Sequence, residues 1–138
     1  MVLLEKIYHP SFFTRIGLRY RNVIARYQLG LKDVPWRELL SPELACEFHS
    51  RIAESIENTG HQLVLRVQGD AKVTLQHGLG NKDGEVCYII DNDFYTLQRT
   101  GVKDAATILD YFNRQAGRLF RWCIADRLHR AMEPNAVS

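Results

Sequence analysis

Hydrophobic and polar positions alternate with period two from Phe12 to Ile24. Phe12, Thr14, Ile16, Leu18, Tyr20, Asn22 and Ile24 fall on one face, and Phe13, Arg15, Gly17, Arg19, Arg21 and Val23 on the other. That alternation predicts one long strand, apolar on one side and arginine-rich on the other. Gly17 within it marks a bulge or a close approach of another backbone. Upstream, Val2 to Tyr8 is a short apolar fragment closed by Pro10.

The next stretch, Tyr27 to Leu40, is irregular, and V-P-W-R-E-L-L reads as a short helical turn opened by Pro35. Ser41-Pro42-Glu43 then has the form of a helix start: a capping hydroxyl, a proline at the first helical position and a carboxylate facing the dipole. Leu44, Phe48, Ile52 and Ile56 supply an apolar stripe at steps of four, with Glu43, Glu47, Glu54 and Glu57 outside it. Asn58-Thr59-Gly60 is the stop signal. The pattern predicts a helix between these limits.

Three strand-like segments follow. His61–Gln68 alternates Leu63, Leu65 and Val67 against Val64 and Arg66. Gly69-Asp70 suits a hairpin turn with glycine first, and Ala71–Leu79 pairs back with Val73 and Leu75 on one face. The loop Gly80-Asn81-Lys82-Asp83-Gly84 closes a second hairpin onto Glu85–Asp93, whose run Val86-Cys87-Tyr88-Ile89-Ile90 fits a central strand covered on both faces. From Asp104 the period changes to helical: Ala105, Ile108, Leu109, Phe112, Ala116, Leu119, Phe120, Cys123, Ile124, Leu128 and Ala131 form a continuous stripe until Pro134. At ~1.5 Å per residue this single helix would be roughly 40 Å long, longer than a small sheet is wide. The expectation is an α+β domain over residues 1–138, with an antiparallel sheet of about four strands carrying two helices on one face, in the order β-α-β-β-β-α.

Composition sets the outer limits. A chain of 138 residues with 46% hydrophobic and 25% charged positions has the size and make-up of one folded domain and excludes collagen-like and low-complexity classes. Cys46, Cys87 and Cys123 are odd in number and lack any C-x-x-C pair. That argues against a disulfide scaffold or classical zinc finger and points to a reducing, cytoplasmic setting. No apolar run approaches the ~20 residues of a membrane span, and the first ten residues lack a signal-peptide core. The net charge of +2 hides a division: residues 1–40 hold seven Lys and Arg against three acids, residues 41–99 five against nine, and residues 100–138 six against four. Such thirds either leave a polyanion-binding face or neutralise one another in space.

Within these limits the arginines stand out. Arg15, Arg19 and Arg21 on one strand face offer planar donors suited to phosphate or carboxylate. Equally, they can pair with the acidic row Glu43, Glu47, Glu54 and Glu57, or with Asp91 and Asp93 across the sheet. Arg114, Arg118 and Arg121, at helical steps beside Tyr111 and Trp122, form a second basic stripe that could track a nucleic-acid backbone or simply face solvent. Asp91 and Asp93, two apart at a strand end, could hold a divalent cation or serve as a turn pair. No phosphate loop, dinucleotide fingerprint, H-E-x-x-H or G-x-S-x-G motif occurs among the 138 residues.

The string R-I-G-L-R-Y-R-N, with the later Y-I-I-D-N-D-F and the amphipathic C-terminal helix, resembles the C-terminal part of an uncharacterised, sporadically distributed bacterial protein family. The match rests on Arg15, Gly17, Leu18, Arg19, Tyr20 and Asn22, then Asp91 and Asp93, within Thr14–Met132. The resemblance implies an N-terminal half, with Val2–Tyr8 ending a helix of that half, and brings no biochemical role, cofactor or active site with it.

The residues therefore lead to a non-catalytic binding or assembly module that needs no cofactor. It would form a homo-oligomer, or join a partner protein, through its long C-terminal helix or first strand. Two alternatives remain beside it. One is nucleic-acid binding through Arg15, Arg19 and Arg21 or Arg114, Arg118 and Arg121. The other is a metal-dependent hydrolase or nuclease built on Asp91 and Asp93.

Overall fold

The computed structural model describes residues 12–133; the fragment Val2–Tyr8 and the helix-stopping Pro134 lie outside them. Four antiparallel strands form the main sheet in the order β2-β5-β4-β3: β2 Ile16–Ile24, β3 His61–Arg66, β4 Lys72–Lys82 and β5 Glu85–Thr96. A separate two-stranded ladder joins β1 (Phe12–Phe13) to β6 (Thr100–Gly101). The chain is thus the expected α+β type, with a four-stranded antiparallel sheet and two helices, α1 Val102–Cys123 and α2 Asp126–Met132.

Three details of the expected order are corrected. The strand Phe12–Ile24 is interrupted at Thr14-Arg15. Phe13 and Ile16 both pack into the same apolar cluster, and a spacing of three cannot put two residues on one face of a continuous strand.

The helix over Leu44–Glu57 does not form; two short 3₁₀ turns, Cys46–His49 and Ala53–Ser55, stand there instead. Ser41 does not cap its own segment. Its hydroxyl donates to the carbonyls of Trp122 and Cys123 (2.8 and 3.1 Å), and its amide to Cys123 as well (3.0 Å). Downstream, the Ser50 hydroxyl donates to the Glu47 carbonyl and accepts from the Ile52 amide, a local closure that competes with helical bonding.

Those contacts from Ser41 also explain the third correction. The expected single C-terminal helix ends at Cys123 because its last carbonyls are capped by the Ser41 segment. Ile124, extended at φ −115°, bridges to Leu40, and the Ala125 amide donates to the Leu39 carbonyl. The helical stripe continues in α2 on a new axis.

The hairpins follow their turn residues. Gly69 has φ 59°, and the Ala71 amide closes on the Gln68 carbonyl. The second turn is tighter than the five-residue loop expected: pairing runs to Lys82 opposite Glu85, leaving only Asp83 (φ 54°) and Gly84 (φ 83°), the signature of a type I′ turn.

One sheet face packs the helices. There Ile24, Leu75, Tyr88 and Ile90 meet Leu39, Leu40, Phe48, Cys123 and Leu128 in a larger cluster, and Ile16, Val73 and Phe94 meet Phe112 and Ala116 in a smaller one. Among the described residues no helix is long and apolar enough to cross a membrane.

Candidate functional site

Strand parity decides what reaches the other face. Since Tyr88, Ile90, Asn92 and Phe94 of β5 point to the helices, Ile89, Asp91, Asp93 and Tyr95 point away, and the register brings Arg19 and Arg21 of β2 and Gln76 and Gly78 of β4 beside them. Asp91 and Asp93 therefore lie within the central strand, not at its end as the sequence pattern implied.

The salt bridges on this face run diagonally. Arg19 lies opposite Asp93 and Arg21 opposite Asp91, yet Arg19 reaches one pair along and grips Asp91 with two donors of one guanidinium edge (Nε 2.9 Å, Nη2 2.6 Å). That hydrogen bond and the charge of Asp91 push the Arg19 pKa above its ordinary value. Asp93 is left to Arg15, at 3.6 Å, whose guanidinium also lies over the Tyr95 ring at 5.2 Å. At Gly17 a Cβ would meet the movable end of Arg15 at 2.5 Å and the backbone oxygen of Phe94 on the neighbouring strand at 3.3 Å, the second being a tight backbone approach. Shifting each pair by one step leaves Arg21, among the described residues, with no carboxylate partner. Of the two readings of this arginine row, cross-sheet pairing accounts for Arg15 and Arg19, and Arg21 remains a free donor.

Beside Arg21 the face dips into an open trough of about 770 Å³, bounded by Arg19, Asp91 and Ile89 on one side and Thr59 to Gln62 on the other. Its floor is Gly78. The Thr59 carbonyl oxygen lies 2.2 Å from the position a Cβ of Gly78 would take, so glycine is what lets the Thr59-Gly60 segment cross here. Gln76 donates to Gln62 at 2.7 Å on the trough wall, holding one amide carbonyl and one amide NH₂ free for a ligand.

On the helix-packed face sits a polar cluster that sequence inspection missed. His77 is buried, with Nδ1 2.7 Å from the Tyr88 hydroxyl; His61 stacks on it at 4.7 Å and bonds through Nε2 to Glu47 at 2.6 Å. Burial, then the charge of His61, lowers the His77 pKa to about 4, and burial pushes the Tyr88 hydroxyl up. The hairpin turn at Gly69-Asp70 was the available signal, since it places His61 directly opposite His77.

The second basic stripe is divided. Arg114 pairs with Asp110 at 3.1 Å, and Arg121 donates to the Ile124 carbonyl and to Asp126, closing the end of α1. Arg118 borders a groove of about 350 Å³ between α1 and the β3 edge, with Leu65, Val73 and Tyr111. The acidic row Glu43, Glu47, Glu54 and Glu57 lies on no α-helix, Glu47 and Glu54 falling in the two 3₁₀ turns, and Glu47 serves His61. Among the described residues no group of three or more His, Cys, Asp or Glu could hold a metal ion. Burial raises both inner thiols, Cys123 to about 12, which suits packing and not nucleophilic chemistry.

Fold and site together define a half-covered antiparallel sheet, helices on one face and a charged, open surface on the other. The chain matches no family model, and no curated protein or solved structure resembles it at a significant level.

Proposed function

We propose that the protein is a non-catalytic binding module that takes an anionic ligand on the open face of its sheet. The observation that carries this reading is Arg21, a guanidinium that has no carboxylate partner among the described residues and lies beside the Arg19–Asp91 fork at the rim of the trough. Asp91 orients Arg19 in advance, so little side-chain order has to be gained on binding. Arg19 keeps Nη1 available for a ligand, and the two guanidinium planes suit phosphate or carboxylate oxygens.

Titration of the chain with inorganic phosphate by calorimetry tests the reading. Saturable binding is expected, weakened about tenfold in Arg21→Ala, the loss of one charge-assisted contact worth roughly 1.5 kcal/mol. Equal affinity of the variant and the parent protein would remove the proposal.

Nucleic acid is the second reading, favoured by the charge of the same face. Among the described strand residues and the adjoining Arg15, the cations Arg15, Arg19, Arg21, Arg66, Lys72 and Lys82 share it with Asp91, Asp93 and Glu85. Against it, Arg15 lies over one face of Tyr95 and competes there with base stacking. Binding of an oligonucleotide that falls steeply between ~50 and ~200 mM salt would favour the polyanion. A hydrolase built on Asp91 and Asp93 has the weakest support, because a cation would have to displace an arginine from each carboxylate.

A further inference from the structure

We infer that β3 is an interface at which two copies of this chain pair edge to edge, joining their sheets into one of eight strands. This rests on the sheet edge and is independent of the anion site. All six residues of β3 are exposed, including Leu63 (45%), Val64 (53%) and Leu65 (36%). Among the described residues no strand lies beyond it. An exposed apolar edge of this kind carries unpaired backbone donors and acceptors and is a template for another strand. Helix α1 packs mainly on β2 and β5 and meets β3 only across the groove beside Leu65, so both leucines of the helix side, Leu63 and Leu65, keep exposed apolar surface.

The second copy is identified by the strand's self-complementarity. The Val67 amide donates inward to the Ala71 carbonyl, so the antiparallel alternation turns the odd-numbered residues of β3 toward β4 and the backbone groups of Gln62, Val64 and Arg66 outward. A two-fold axis through Val64, perpendicular to the sheet, matches those outward groups. Val64 meets Val64 of the second copy, and Gln62 meets Arg66 at both ends, each as a hydrogen-bonded pair. On the helix side the same axis sets Leu63 against Leu65. Apolar residues face apolar ones, and no like charges oppose. The opposite sheet edge fails this test: a dyad at the middle of β2, on Tyr20, sets Arg19 against Arg21. The continuous sheet would also bring the two open faces side by side on one surface.

Sedimentation equilibrium across micromolar to millimolar concentrations reads the state directly. The chain of 16.0 kDa should approach twice its mass, and Val64→Lys, which sets two ammonium groups against each other at the dyad, should return it to monomer. Crosslinking supplies a second readout. In a Cys46→Ser background, which removes the exposed native thiol, Val64→Cys should oxidise to a disulfide-linked dimer. Hydrogen-bonded antiparallel pairs hold their Cα atoms about 5.5 Å apart, within disulfide reach. Leu65→Cys in the same background should not crosslink, because Leu65 faces Leu63 and not itself. A monomer at every concentration overturns the inference, as does a dimer that survives Val64→Lys or crosslinks as readily through Leu65→Cys. Such a dimer would form elsewhere, and a strict monomer would leave the edge to a strand from another protein.

Discussion

Asn92 is fully buried in β5 on the helix side, opposite Tyr20 and Leu75, and neither its amide nitrogen nor its carbonyl oxygen has a hydrogen-bond partner in the protein. A buried amide in that state costs stability on the order of 1–3 kcal/mol. Asn92→Leu is therefore expected to raise the denaturation midpoint, measured by urea unfolding. A lowered midpoint would show that a buried water completes the site. His77 contributes in another way. Its imidazole stays neutral down to about 4 in the fold, against 6.5 for the free side chain, so the unfolded chain binds the extra proton first. The contribution of His77 to stability is complete above pH 6.5 and falls as the pH drops from there toward 4, by an amount on the order of 3 kcal/mol. Unfolding of His77→Gln measured across that window should show a flatter profile; an unchanged slope would assign the dependence to other groups.

At the scale of elements, the lesson is that a capping residue can serve a helix far from its own segment. Ser41 has the neighbours of an N-cap but closes the C-terminus of α1, 81 residues on. Ser41→Ala should destabilise the fold by about 1–2 kcal/mol, the cost of leaving helix-end carbonyls without their donor. The far-UV circular dichroism of the folded state should keep its helical signal, since the segment Leu44–Glu57 contains no α-helix to lose. A marked drop in helicity would mean that Ser41 caps its own segment after all. The strands were the most legible elements. Period-two alternation located β2 through β5, and the glycine turns gave both hairpins, because a strand's two faces differ in burial at every step. Helical stripes were less reliable: the residues at steps of four after Ser41 do pack inward in part, as Leu44 and Phe48 do, but through turns and not through a helix.

For the whole molecule, the charge division along the chain partly cancels in space. The basic first strand lies beside the acidic centre of β5, so Arg15 and Arg19 neutralise Asp93 and Asp91. What survives is a modest excess of cations on the open face where, among the described residues, Arg21 and Arg66 have no carboxylate partner, Arg21 being the one at the trough. Assembly through β3 and anion binding at Arg21 make separable expectations: Val64→Lys should leave phosphate binding intact, and Arg21→Ala should leave the oligomeric state intact.

By itself the sequence determined the class of the fold, the antiparallel strand pairing within the two hairpins and the alternation that sends the arginines of β2 to one side. These are local properties, set by side-chain period and turn geometry over a few residues. Only the tertiary structure decided that Arg19 reaches diagonally to Asp91 and frees Arg21, that Ser41 ends α1, that His61 and His77 stack, and that β3 is left at the edge. Each of these depends on which distant segments become neighbours, and such neighbours are chosen by the burial of the whole core.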